Sequence, residues 1–159
     1  MATGADLFIV VSAAGQLFGF RAREVLKVIE VGAVARVPRL PQAVVGITPY
    51  RGRIVTVVDL AVLLGCGAGA VDGNAGRRIV LLDTGSRNVG VLVDRVEVIS
   101  AMDLIEPRRG VADEEIVREV ATCGERTAGL IDGGRLARQI AGLCRMVVAT
   151  RSSAGASAT

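Results

Sequence analysis

The chain has 159 residues and contains no His, no Trp, a single Lys (Lys27), one Tyr and three Phe. Without an imidazole there is no Ser-His-Asp triad, no Cys-His pair, no His proton shuttle and no His-ligated zinc, so most hydrolase and metalloenzyme chemistries are excluded. Lys27 lies in Glu24-Val-Leu-Lys-Val-Ile29 with no Gly-rich loop ahead of it, which removes the phosphate-cradling lysine of a P-loop. Cys66, Cys123 and Cys144 are odd in number, widely spaced and free of any C-x-x-C pattern. They read as small reduced apolar side chains of a cytoplasmic protein. Aromatics make up only 3% of the residues, too few for the stacking platforms that single-stranded nucleic acid requires. No window offers ~20 consecutive apolar residues. Met1-Ala-Thr-Gly-Ala-Asp6 supplies no positive stretch before the first apolar run, so neither a membrane span nor a secretory signal is expected.

What is present is apolar. Hydrophobic residues make up 51% of the chain and charged ones 22%, enough to offset the entropy of ordering. A chain of ~150 residues buries roughly two-thirds of its unfolded surface, so it can hold a core as one domain or as two small units sharing one. The net charge is +3, its positive side almost entirely arginine. The arginines are scattered singly or in pairs such as Arg77-Arg78 and Arg108-Arg109, which reads as a solvated surface and not as a nucleic-acid stripe.

Short apolar runs punctuated by Gly and Asp dominate. Residues 7–12 and 17–20 read as a hairpin around 13–16. Residues 21–29 carry apolar positions at Ala22, Val25, Leu26 and Ile29, the spacing of a short amphipathic helix, with a second strand as the alternative. Pro38 and Pro41 force an extended connection. The β-branched run 53–59 reads as a strand, 60–64 as a short helix capped by Asp59, and 65–76 as a glycine-rich loop. Strands follow at 78–82, 88–93, 95–99, 116–122 and 127–131, then a helix at 134–143 and a small, polar tail. Arg53, five residues, Asp59 and a Leu-rich helix are echoed by Arg126, five residues, Asp132 and a Leu-rich helix, as expected of two similar β units packed together. Many short strands at near-regular spacing indicate a mainly β fold.

Asp59, Asp83, Asp94 and Asp132 all end apolar strands. Two of them could converge as an acid and base, but that requires environments that drive their pKa values apart, whereas capping and turn chemistry explains all four positions. Asp59 and Asp132 are therefore assigned structural capping. Gly65-Cys-Gly-Ala-Gly69 follows a helix and opens none, unlike a dinucleotide fingerprint. In Pro49-Tyr-Arg-Gly-Arg53, Gly52 implies a tight turn that throws Arg51 outward. A guanidinium there can bind a partner carboxylate bidentately, or it can be a surface arginine worth at most ~1 kcal/mol. The pattern alone divides these readings evenly.

Three stretches together resemble the CheW family of chemosensory coupling proteins. They are Val28-Ile-Glu-Val31 through Val37-Pro-Arg-Leu-Pro41 to Val44-Val-Gly-Ile-Thr-Pro-Tyr-Arg-Gly-Arg-Ile-Val-Thr-Val-Val-Asp-Leu60; Val89-Gly-Val-Leu-Val-Asp-Arg-Val-Glu-Val-Ile99; and Ile116-Val-Arg-Glu-Val120 through Gly129-Leu-Ile-Asp132 to the Leu136 helix. The resemblance implies two small five-stranded β-barrel subdomains around a shared hydrophobic core, with a few short helices. It places one such domain at residues 6–145, with flexible tails at 1–5 and 150–159. It further implies a non-enzymatic cytoplasmic adaptor, recruited to receptor arrays, that bridges a chemoreceptor cytoplasmic tip and the regulatory domain of a CheA-type histidine kinase. Receptor binding falls to Glu30, Tyr50, Arg51 and Gly52. No catalytic, cofactor-binding or metal residue, no nucleic acid and no membrane insertion are expected. The chain departs from the family's usual G-x-x-N-L-R-G at Pro49 and Tyr50, and has Glu119 where the family usually has Gly, which suggests specialisation to a particular receptor or array. An OB-like nucleic-acid-binding barrel is the alternative reading, and an Asp-based enzyme ranks third.

Overall fold

The computed structural model describes residues 7–39, 41–66, 76–83, 88–101, 103–105, 116–123 and 125–156. In chain order these form β1 (Leu7–Ala13), β2 (Gln16–Arg21), a 3-10 turn (Ala22–Glu24), β3 (Val25–Glu30), β4 (Val44–Tyr50), β5 (Arg53–Asp59) and α1 (Leu60–Leu63). There follow β6 (Arg78–Asp83), β7 (Asn88–Val93), β8 (Arg95–Ala101), β9 (Asp103–Ile105), β10 (Val117–Cys123), β11 (Arg126–Ile131) and α2 (Gly133–Ala156). The first sheet has the order β8-β1-β2-β11-β10-β9 and the second β3-β6-β7-β5-β4. The mainly β fold expected from the strand spacing is present. The two small β subdomains expected with it are present as two sheets whose ladders do not close into barrels; β8 and β9, one residue apart in the chain, take the two ends of the first order by pairing with β1 and β10.

The two sheets share one internal plan. In the second, the β4–β5 hairpin joins the β6–β7 hairpin through a parallel pairing of β5 with β7, and β3 lies outside β6. In the first, the β10–β11 hairpin joins the β1–β2 hairpin through a parallel pairing of β11 with β2, and β8 lies outside β1. Gly90 stands opposite Val57 in one joint and Gly19 opposite Leu130 in the other, at matching levels above the two capping aspartates. The repeated Arg, five residues, Asp pattern thus marks equivalent strands, β5 and β11. The second sheet is contiguous in sequence, whereas the first is assembled from the two ends of the chain.

Strand alternation builds three apolar cores. Phe8 and Val10 face a small cluster with Ala121, Ala128 and Leu130, while the intervening Ile9 and Val11 face a large shared cluster. In the second sheet Ile79 and Leu81 join Val55, Val57 and Leu92, while Val80 and Leu82 turn to the shared cluster. Strands buried on both faces read as continuous apolar runs, which explains the uninterrupted Val/Ile/Leu stretches. Leu136, Ala137 and Ile140 of α2 close the shared core.

Residues 21–29 are a 3-10 turn followed by β3, the second of the two readings held open for them; Leu26 is 59% exposed instead of forming part of a buried helical stripe. β3 is an edge strand, blunted by a register shift between Val25 and Lys27 and by the chain's one lysine. β4 is the opposite edge, where Pro49 is tolerated because an edge strand has one unpaired side. An isolated bridge from Ala35 to Ile47 and a hydrogen bond from Thr48 Oγ1 to the Ala33 carbonyl (2.9 Å) strap that edge. α2 runs from Gly133 to Ala156, and the segment has no proline to break the i→i−4 ladder. The expected tail at 1–5 and most of the glycine-rich loop lie outside the described residues.

Candidate protein-interaction site

Tyr50 pairs with Arg53, leaving Arg51-Gly52 as a two-residue hairpin loop. Their φ angles are 47° and 76°, both positive as in the primed turns that suit twisted hairpins. A Cβ on Gly52 would meet nothing within 4 Å, so glycine is required there by backbone conformation and not by space. Arg51 holds a left-handed conformation that costs a non-glycine residue about 1–2 kcal/mol, and its side chain projects to solvent as expected. Its guanidinium carbon lies 5.4 Å from the centroid of the Tyr50 ring, within cation–π range. Among the described residues it makes no hydrogen bond or ion pair. Tyr50 itself is half-buried, packed against the small core of the second sheet.

The opposite face of this hairpin is apolar and wet. Pro49 pairs with Ile54 and Ile47 with Thr56, and Ile54 is 68% exposed. Arg53 is exposed beside it. Glu30 closes β3 with its side chain 86% exposed, 3.8 Å from Arg78, its partner on β6. Ile29 and Val31, flanking Glu30, pack against the same small core as Tyr50. Glu30 and Arg51 thus belong to one half of the molecule but form no ion pair with each other.

The aspartates play structural parts. Asp59 Oδ1 accepts hydrogen bonds from the Ala61 (3.0 Å) and Val62 (3.3 Å) amides, capping α1. Its Oδ2 accepts from Arg77 Nη2 at 3.1 Å. Arg77 Nε lies 3.6 Å from Asp94 Oδ1, and Asp94 Oδ2 accepts from the Ala14 amide at 2.9 Å. Asp59 and Asp94 therefore converge on a buried guanidinium, not on each other. Arg77 is 8% exposed, which corrects its reading as solvated surface: the sequence pairs it with Arg78, but the two aspartates draw it inward. Asp132 Oδ1 accepts from the Arg135 amide (3.0 Å), and Glu24 Oε2 accepts from the Gly133 amide (3.2 Å), so two carboxylates cap α2. A cleft of about 590 Å³ beside them includes Arg21 and Glu119 in its lining, which pair at 3.1 Å. Among the described residues no group of His, Cys, Asp and Glu is placed to hold a metal ion, and no helix is long and apolar enough to cross a membrane. Sequence reasoning missed Arg77, Glu24 and Ile54. Only Ile54 had a signal, an apolar residue beside a turn.

A CheW-like domain matches residues 7–141. The chain belongs to the CheW family. Protein FrzA of Myxococcus xanthus is 30% identical over 115 residues, spanning 69% of this chain and 71% of FrzA. The scaffolding protein TtCheW of Thermoanaerobacter tengcongensis has the same fold, with a TM-score of 0.73 at 23% identity over 81% of this chain and 85% of that one. CheW-family proteins are non-enzymatic adaptors or scaffolds. In this CheW-family chain Asp59, Asp94, Asp132, Glu24, Glu30 and Glu119 each serve a helix cap, a backbone amide or an ion pair.

Proposed function

We propose that this CheW-family chain is a cytoplasmic chemosensory adaptor that couples the tip of a chemoreceptor to the regulatory domain of a CheA-type histidine kinase within receptor arrays. Arg51 is the principal receptor anchor, with Glu30 and the turn residue Gly52 completing the surface. The observation that carries this reading is the Arg51 guanidinium, held outward on a strained turn at the position matching the family's receptor-facing arginine, with no hydrogen-bond or ion-pair partner among the described residues. An unspent arginine fork beside exposed apolar residues is the composition of a protein-recognition site. Pro49 and Tyr50 adapt this surface to a particular receptor or a non-standard array, and Glu119, on β10 of the first sheet, is a further departure away from it.

The test is co-sedimentation with a receptor-tip fragment and a kinase regulatory domain. Arg51→Glu should weaken receptor binding at least tenfold, leave kinase-domain binding intact and change unfolding free energy by no more than about 0.5 kcal/mol. A matching loss of stability would mean that Arg51 is structural. Equal coupling across unrelated receptors would refute the specialisation.

A further inference from the structure

We propose that Tyr50 is a positioning residue for Arg51: its ring, anchored in the small core of the second sheet, carries the guanidinium and fixes where a partner carboxylate can reach it. The ring centroid lies 5.4 Å from the guanidinium carbon. The ring cannot follow a partner outward, because it packs on the cluster of Val55, Val57, Ile79, Leu81 and Leu92. Arg51 has no competing hydrogen bond or ion pair among the described residues, and its left-handed backbone (φ 47°) together with the two-residue turn fixes the direction in which its side chain departs.

The physical effect is pre-organisation. An arginine on an exposed turn gives up rotamer freedom when a partner immobilises it, and one already resting on a ring gives up less. Tyr50 thus raises affinity while touching the partner little or not at all. A leucine, the family's usual residue at this place, would fill the apolar cluster but offers no π face. The ligand class is a carboxylate on a protein surface, which the guanidinium fork binds bidentately. The identity of that surface as a receptor tip rests on the function proposed above.

Two measurements decide the matter separately. In the free protein, the Arg51 Hδ resonances should be shifted upfield by the Tyr50 ring current, retained in Tyr50→Phe and lost in Tyr50→Leu. Unshifted resonances in the wild-type chain would overturn the positioning role whatever the partner. In calorimetric titrations with a recombinant chemoreceptor-tip hairpin, Tyr50→Phe should bind within twofold of wild type. Tyr50→Leu should bind about three- to fivefold more weakly, the loss of an exposed cation–π contact. In an Arg51→Ala background Tyr50→Leu should cost nothing further, because its effect passes through Arg51. Additive losses would overturn the inference. If the wild-type chain fails to bind the hairpin, the receptor reading is lost while the resonance measurement still decides the Tyr50–Arg51 pairing.

Discussion

In the second sheet β5 runs into a helix of four residues, and in the first the equivalent β11 runs into one of 24 residues. Each helix begins at an aspartate, yet the two caps sit in different surroundings. Asp59 has a side chain 11% exposed and shares the buried Arg77 with Asp94. Asp132 has a side chain 36% exposed, beside a half-exposed Arg135. The short helix α1 places Leu60 and Ala61 in the shared core, and its half is fastened in addition by a charged network reaching the Ala14 amide in the β1–β2 turn. The long helix fastens its half through Leu136, Ala137 and Ile140. The same strand-Asp-helix device therefore packs apolar side chains into one shared core at both places, and at Asp59 a buried guanidinium shared with Asp94 is added to the cap.

This contrast is open to direct attack. Asp59→Ala should have the largest effect, about 3–5 kcal/mol by urea denaturation, because it uncaps α1 and leaves Arg77 buried with one carboxylate. Gly90→Ala comes next at about 1–3 kcal/mol, since its Cβ would lie 2.7 Å from Ile79 Cγ2 at the centre of the parallel joint. Asp132→Ala should cost only about 1 kcal/mol, the loss of a partly solvated cap. If Asp59 and Asp132 proved equal, the buried network would not distinguish the two halves. If Gly90→Ala were neutral, the joint would be looser than its contacts imply.

Much of this arrangement was legible in the chain itself. The β-branched runs of β5, β6 and β7 announce strands because both faces are buried and no polar alternation interrupts them. Asp59 and Asp132 announce caps because each stands between an extended run and a Leu-rich helix. β4 was hidden: Gly46 and Pro49 disguise it, and both have tertiary causes. A Cβ at Gly46 would collide with the Ala35 carbonyl oxygen of the strap, and Pro49 is permitted by the free edge. The helical spacing at 21–29 arose on an edge strand none of whose residues is buried, where packing does not enforce period-two alternation. At the candidate site the tight turn at Gly52 and the outward Arg51 were readable. The burial of Arg77 was not, since nothing local separates it from Arg78; Asp59 at the end of β5 and Asp94 from beyond two strands together give it a reason to turn inward.

The divided origin of the first sheet bears on how the protein is made. By the time Val93 has left the ribosome, every strand of the second sheet is available and its joint between β5 and β7 can close. The β1–β2 hairpin, synthesised before that sheet, must wait for β11 before Phe18 and Phe20 find their parallel neighbours Gly129 and Ile131. For that interval one edge of the hairpin is an unpaired, aromatic-bearing strand, the kind of surface that invites chaperones or wrong partners. β11 thus completes a sheet that β1 begins, and a chain truncated before Ile131 leaves the earlier hairpin without its companion.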